Sequence, residues 1–148
     1  MNQIRIKKVF NNLKLNKAQL RKVICELAKT LGVKKVAFNR KAKRVRGTYN
    51  CLTHIVYIDT KQTRRDILLT FFHELGHHYA LKCNLWMEYH LCLIKTIEVE
   101  KMFEIENNID KIGKSLWNKY VDHKQWGKYK YVYPKSQKNA IMNILSNS

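Results

Sequence analysis

One short stretch of the chain carries residues whose types and spacing suit metal chemistry. Residues 71–80 read Phe-Phe-His-Glu-Leu-Gly-His-His-Tyr-Ala and contain the pattern His-Glu-x-x-His. On a helix, residues four apart lie above one another, so His73 and His77 can offer ring nitrogens to a single Zn²⁺ ion. Glu74 can then take a proton from a water at that ion. The pattern therefore predicts a hydrolytic zinc site.

The residues around this motif predict the helix that must present it. Thr63 to Asp66 has the form of a capping box, so we expect a helix that starts there and runs to about Lys82. His73 and His77 point away from the apolar face of this helix, and we expect the helix to be covered on both sides. The apolar face consists of Ile67, Leu68, Phe71, Phe72, Leu75 and Tyr79.

A catalytic zinc takes a third protein ligand, and several downstream residues compete for that role. Cys83 stands where an extended form of the motif has a histidine. Ala80 replaces the glycine that this form needs, so Cys83 is expected to be a buried thiol. A long helical pattern from about Leu91 to Tyr120 offers carboxylates instead. The competing carboxylates are Glu98, Glu100, Glu104 and Glu106.

Glu106 to Gly113 has the form Glu-x-x-x-Asp-x-x-Gly. Together with the preceding His-Glu-Leu-Gly-His, it resembles the gluzincin metallopeptidases, especially the minimal ImmA/IrrE-type domains of bacteria, phages and mobile elements. The resemblance covers about residues 47–117. It implies that Glu106 is the third zinc ligand and that Asp110 supports a ligating histidine through its outer ring nitrogen. It also implies hydrolysis of peptide bonds in a protein or peptide substrate.

A peptidase site often includes a neutral donor that stabilises the oxyanion, and the sequence leaves this residue open. His78 is turned about 100° from His77 on the helix, so we expect it to be structural or to face solvent. The side chains that are chemically able to donate this hydrogen bond are His54, Tyr57, His78, His90, Tyr120 and His123.

The element pattern predicts a single α+β domain over residues 1–148. Asn16 can cap a first amphipathic helix that ends at Gly32, and residues 33–39 and 54–59 have strand patterns. We expect a zincin-like arrangement, in which a small, mainly antiparallel sheet packs with the active-site helix and a long ligand-bearing helix. The strand at 54–59 is predicted to be a sheet edge against which a peptide pairs.

Charge gives a second line of inference. The chain has 29 Lys and Arg against 11 Asp and Glu, a formal net charge of +18, which favours polyanionic partners. A basic turn can contact a phosphate backbone, although a solvated hairpin tip gives the same composition. The alternative hypothesis is therefore a zinc-stabilised module that binds nucleic acid or an acidic protein without proteolysis. The residues of the turn are Arg40, Lys41, Lys43, Arg44 and Arg46.

The segment from about Val121 onwards is basic and aromatic. Its aromatic residues alternate with lysines, and an edge strand with one buried aromatic face fits this better than a surface on which bases stack. The aromatic positions are Trp126, Tyr129, Tyr131 and Tyr133.

Cysteine usage and hydropathy bear on the compartment. No Cys-x-x-Cys occurs among Cys25, Cys51, Cys83 and Cys92, so we expect free and mostly buried thiols. No run approaches the length of a membrane span, and the charged start does not resemble a signal peptide. We therefore expect a cytoplasmic protein with no membrane contact, whose oligomeric state the sequence leaves open.

Overall fold

The computed structural model describes residues 8–39, 46–50, 53–82 and 99–131, and at 39, 81–82 and 99–105 it describes only the main chain. These residues form four helices and a three-stranded sheet, which confirms the predicted α+β class. The elements in chain order are α1 (Lys17–Thr30), β1 (Lys35–Asn39), β2 (Gly47–Asn50), β3 (Ile55–Asp59), α2 (Arg64–Lys82), α3 (Val99–Tyr120) and α4 (His123–Trp126).

Helix α1 begins at the predicted cap. The Asn16 side chain accepts a hydrogen bond from the Gln19 main-chain nitrogen at 2.8 Å, and the Gln19 side chain accepts one from the Asn16 nitrogen at 2.9 Å. This reciprocal pair satisfies two N–H groups that a helix start would otherwise leave without acceptors. Gly32 follows the helix with a φ of 85°, a conformation that glycine adopts at little cost.

The sheet has the strand order β1-β3-β2, so β3 is its central strand. β2 and β3 form an antiparallel hairpin pair, whereas β1 and β3 are parallel. The sheet is therefore mixed, where the sequence suggested one that is mainly antiparallel. The prediction that β3 is an edge strand is wrong, because β1 and β2 occupy its two sides. A hairpin whose returning strand inserts beside β1 produces this order, and strand patterns alone do not encode that choice.

Helices α2 and α3 pack against each other, and α2 also covers β2 and β3. Every residue from Ile67 to Gly76 is buried, which confirms that α2 is covered on both sides. The N-terminal segment contributes Phe10, which bridges to Val121 and packs edge-on against the Phe72 ring, with ring centroids 5.8 Å apart. The core thus surrounds the middle of α2, where the His-Glu-x-x-His motif lies.

Two sequence predictions about smaller features differ from the structure. Cys25 is exposed on α1, next to the buried Ile24, so the expectation of mostly buried thiols is wrong for this residue. The other three cysteines lie outside the described residues. Residues 127–131 form no strand, although an edge strand was predicted there.

Among the helices of the described residues, none combines the length and the apolar character that crossing a membrane requires.

Candidate metal centre

Helix α2 presents the motif from the interior of the protein. The main-chain nitrogen of Asp66 donates to Thr63 Oγ1 at 3.2 Å, so the helix starts at the predicted cap. One turn separates the motif histidines, and their ring centroids are 5.2 Å apart. His73 and Glu74 are each only 3 % exposed. The ligand atoms of His73, Glu74 and His77 lie within 4.8 Å of one another, close enough to hold one metal ion.

Helix α3 brings a second carboxylate to both imidazoles. Oε2 of the buried Glu106 lies 3.7 Å from Nε2 of His73, and its Oε1 lies 3.9 Å from Nε2 of His77. At zinc bond lengths of about 2.0–2.1 Å, two ligands of a tetrahedral ion lie about 3.4 Å apart. The two distances from Glu106 are therefore a few tenths of an ångström wider than the separation that a bound zinc would impose. Two imidazoles and one carboxylate also form a donor set that catalytic zinc uses.

Two glycines allow α2 and α3, which carry the candidate ligands, to approach this closely. A methyl group on Gly76 of α2 would lie 2.5 Å from the main-chain oxygen of Ile109 on α3. A methyl group on Gly113 of α3 would lie 2.9 Å from the main-chain oxygen of Phe72 on α2. Each glycine thus faces the backbone of the other helix.

Asp110 lies one turn beyond Glu106 on α3, as its spacing predicts. Its Oδ1 atom lies 3.5 Å from Nδ1 of His73, longer than an ordinary N–H···O hydrogen bond but within the range of an ion pair. A carboxylate on Nδ1 favours the tautomer that carries its proton there and leaves Nε2 for a metal. The five predicted site residues are thus brought together by two helices.

Burial and charge shift the pKa values of the three motif residues. Burial raises the pKa of Glu74 to about 7, with a further increase from the charge of Glu106. Burial lowers the pKa of His77 to about 4, so this imidazole is neutral at pH 7. For His73 burial lowers the pKa, but the adjacent Asp110 carboxylate and the charges of Glu74 and Glu106 outweigh burial and raise the pKa. A divalent cation between these groups would favour the ionised carboxylates and the neutral imidazoles.

The other candidates for the third ligand fall outside the described side chains. Glu98 and Cys83 are not among the described residues, and the side chains of Glu100 and Glu104 are not described. The choice of Glu106 therefore depends on its own distances to the two histidines.

Two tyrosines at the site were missed by the sequence analysis. The Tyr129 hydroxyl donates to Asp110 Oδ1 at 2.7 Å. The Tyr131 ring stacks on the His73 ring, with centroids 4.0 Å apart and planes 6° apart. Burial raises the pKa of both phenols, so both are neutral at pH 7. The alternation of aromatic residues and lysines could have indicated them, because it places positions 129 and 131 on the same side of an extended segment.

The residues proposed as oxyanion donors are dispersed. His78 is buried, and its Nε2 lies 3.0 Å from the Leu31 main-chain oxygen, which only accepts. Nε2 therefore donates, and the Tyr49 hydroxyl donates to Nδ1 of His78 at 2.9 Å. His54 Nδ1 lies 2.9 Å from the same hydroxyl and donates to it. His78 is thus a structural histidine, one of the two roles expected for it.

Three of the remaining donors are among the described residues. Tyr120 stacks on Phe72 in the core, Tyr57 lies on β3, and His123 begins α4 at the surface. His90 is outside the described residues.

The basic turn is represented by Arg46 alone, since Arg40, Lys41, Lys43 and Arg44 lie outside the described residues. Arg46 Nη1 lies 3.2 Å from Oδ2 of Asp66 at the start of α2. Its main-chain oxygen accepts hydrogen bonds from the Asp59 nitrogen at 2.9 Å and from Gln62 Nε2 at 2.8 Å. Arg46 thus joins the end of β3 to the start of α2.

Comparison with known proteins gives no relative on which to base an assignment. No protein-family model matches the chain, and no curated protein or solved structure is significantly similar to it. Functional inference therefore depends on the residues and their geometry.

Proposed function

We propose that this protein is a zinc-dependent metallopeptidase. One observation carries the proposal: the carboxylate of Glu106 faces Nε2 of His73 with one oxygen and Nε2 of His77 with the other, at 3.7 Å and 3.9 Å. In the proposal these three residues hold Zn²⁺. We assign Glu106 rather than Glu74 as the carboxylate ligand because each of its oxygens faces a different imidazole. Glu74 is then left for proton transfer.

The proposed reaction needs a group that gains and then releases a proton near neutral pH. A zinc ion held by the three ligands supplies Lewis acidity, which activates water and polarises a carbonyl group. Glu74 accepts a proton from the attacking water on a carboxylate oxygen and returns it to the leaving amine nitrogen. Burial raises the pKa of Glu74 in the metal-free protein, whereas a cation held at the site would favour the ionised carboxylate that accepts the proton.

The surroundings of the site support chemistry that excludes bulk water. His73, Glu74 and Glu106 are buried, and the Tyr131 ring covers one face of His73. Electrostatic interactions are stronger in such surroundings than in water. A protein or peptide substrate remains the proposal that the two motifs favour. Pairing of that peptide with β3, which the sequence suggested, is not part of the proposal because β3 is the central strand.

Metal analysis of the purified protein tests the site first. We expect one Zn²⁺ per chain in the wild type, and loss of most of it in Glu106→Ala and His77→Ala variants. Wild-type protein without stoichiometric zinc, or a His77→Ala variant that holds as much as the wild type, would refute the site.

Cleavage tests the chemistry separately from metal binding. The zinc-loaded protein is incubated with a proteome-derived peptide library, and new N-termini are identified by mass spectrometry. A Glu74→Gln variant should keep its zinc and lose cleavage, since an amide cannot accept the proton. Cleavage that persists in this variant would remove Glu74 as the base, and no new N-termini with the wild type would contradict the peptidase proposal.

The second candidate function is binding of nucleic acid or an acidic protein without proteolysis. It is favoured by the net charge of +18 and by the burial of Glu74 and Glu106, which removes two of the 11 acidic side chains from the surface. DNA affinity that falls steeply with salt would support this function, and no binding at low salt would contradict it. If both activities occur, DNA should change the cleavage rate.

A further inference from the structure

The segment from Trp126 to Tyr131 is attached to both ligand-bearing helices. Arg65, at the start of α2, donates from Nε to the Trp126 main-chain oxygen at 2.8 Å and from Nη2 to that of Lys128 at 3.1 Å. Trp117 of α3 donates from Nε1 to the Gly127 oxygen at 3.0 Å. Main-chain oxygens of this segment thus accept bonds from both helices. The segment is a fixed part of the wall around the site.

Gly127 sets the direction in which this segment continues. Its φ is 82°, which favours glycine, and a methyl group there would lie 3.2 Å from Arg65 Nη2. The chain turns at this residue and passes over the site. Tyr129 and Tyr131, two residues apart, then contact Asp110 and His73.

The Tyr129 hydroxyl meets the same carboxylate oxygen that faces His73. It donates to Oδ1 of Asp110 at 2.7 Å, and this oxygen lies 3.5 Å from Nδ1 of His73. The Asp110 side chain is 37 % exposed, so it needs a partner to stay directed at the ring. The hydroxyl of a neutral phenol is a suitable donor to an ionised carboxylate.

Gly113 provides the space for this hydroxyl. A methyl group on Gly113 would lie 2.9 Å from the Tyr129 oxygen as well as 2.9 Å from the Phe72 main-chain oxygen. The glycine of the Glu-x-x-x-Asp-x-x-Gly pattern therefore admits both the neighbouring helix and the tyrosine. The space at Gly113, the hydrogen bond to Asp110 and the three hydrogen bonds from Arg65 and Trp117 all favour the direction of Tyr129 towards Asp110.

We propose that Tyr129 is a positioning residue that holds the Asp110 carboxylate against Nδ1 of His73 and thereby directs Nε2 of His73 at the metal. The inference rests on the proposed zinc site. Residues that orient a metal-bound imidazole commonly change metal affinity by about ten- to a hundredfold when they are removed. Tyr129 acts one contact further out, so we expect the lower end of that range.

Zinc affinity of the full-length protein, measured by competition with a chelator, tests the proposal. Tyr129→Phe removes only the hydroxyl and should weaken Zn²⁺ binding about tenfold. Tyr120→Phe is the matched control, because Tyr120 is a half-buried tyrosine that stacks on Phe72 in the core, and its affinity should equal that of the wild type. Circular dichroism of each variant shows that the fold is kept.

A double-mutant cycle tests whether Tyr129 acts through Asp110. In an Asp110→Ala background, adding Tyr129→Phe should change zinc affinity little, because the carboxylate that the hydroxyl holds is already absent. Equal losses in the two backgrounds would overturn the proposal. So would a Tyr129→Phe variant with wild-type affinity. A wild type that binds no zinc would instead overturn the metal site, which separates the two failures.

A spectroscopic measurement adds a readout that general destabilisation does not produce. In ¹⁵N-labelled zinc-loaded protein, Nδ1 of His73 should carry a slowly exchanging proton, because Asp110 accepts it. In Tyr129→Phe this proton should exchange faster, while the Nε2 atoms of His73 and His77 remain bound to the metal. Unchanged exchange in the variant would contradict the positioning role.

Discussion

Replacing Gly76 with alanine should force apart the two helices that carry the candidate ligands. The added methyl group would lie 2.5 Å from the Ile109 main-chain oxygen and 2.9 Å from Cγ2 of the same residue. Real methyl carbons essentially never come within 3.0 Å of such atoms, so α3 must recede by about 0.5 Å. The obstacle is main chain within a packed helix pair, which cannot rotate away as a side chain can.

The expected loss of stability follows from two opposing effects. Overpacking a close contact costs about 1–3 kcal/mol, and a backbone contact lies in the upper half of that range. Alanine in place of glycine favours the helix by about 1 kcal/mol. The metal-free variant should therefore lose about 1–2 kcal/mol in free energy of unfolding. For a domain of this size the midpoint of thermal unfolding should fall by about 3–6 °C.

The same displacement should weaken zinc binding. Oε1 of Glu106 lies 3.9 Å from Nε2 of His77, already wider than the separation of about 3.4 Å that a tetrahedral zinc imposes. Binding would have to restore the original helix spacing against a strain of about 1–2 kcal/mol, which corresponds to a five- to thirtyfold weaker affinity.

Thermal unfolding of the metal-free protein and zinc titration measure the two effects. Ser115→Ala is the control, since Ser115 is exposed on α3 and its replacement should change stability by less than about 0.5 kcal/mol. A Gly76→Ala variant that is more stable than the wild type and binds zinc equally well would refute the close approach of α2 and α3.

Three further predictions concern the neighbouring residues. Burial raises the pKa of Glu74 from 4.5 to about 7, so the metal-free protein should lose stability as pH rises between these values. In urea unfolding, Glu74→Gln should stabilise the protein by about 3 kcal/mol more at pH 8 than at pH 4. An equal effect at both pH values would contradict this prediction. Arg65→Gln should cost about 1–2 kcal/mol in urea unfolding, since two main-chain oxygens lose a charged donor, and a change below about 0.5 kcal/mol would refute the anchoring role. Tyr131→Leu should cost about 1 kcal/mol in the same assay through loss of the stack on His73, with Tyr131→Phe as the control that should retain more of the stability.

The local signals in the sequence predicted the helices well. Asn16 and Thr63 begin α1 and α2 as expected, because a cap is an interaction between residues three apart and needs no distant partner. The period of the apolar residues placed His73 and His77 opposite the main apolar face of α2. The spacing between Glu106 and Asp110 predicted that both lie on one side of α3, and in the structure this side faces the histidines.

Predictions that depended on distant pairing were less successful. Whether β3 is a central strand or an edge strand depends on which strand of the β2–β3 hairpin pairs with β1. The strand patterns in the sequence are the same for either order. The alternation in residues 127–131 is compatible with a strand, but the segment finds its partners in Arg65 and Trp117 instead of in a neighbouring strand. Alternation of aromatic and polar residues indicates which side of a segment is buried, but it does not indicate which element covers that side.

By itself the sequence determined that one helix presents two histidines and a glutamate at metal-binding spacing, and that a second helix offers a carboxylate and an aspartate one turn apart. Both statements follow from the helical repeat, which places residues four apart on the same face of a helix. Only the tertiary structure decided that Glu106 meets both imidazoles, that Gly76 and Gly113 let the helices close on each other, and that Tyr129 and Tyr131 complete the wall of the site. The physical reason is that these contacts join residues far apart in the chain, so they depend on how whole elements pack.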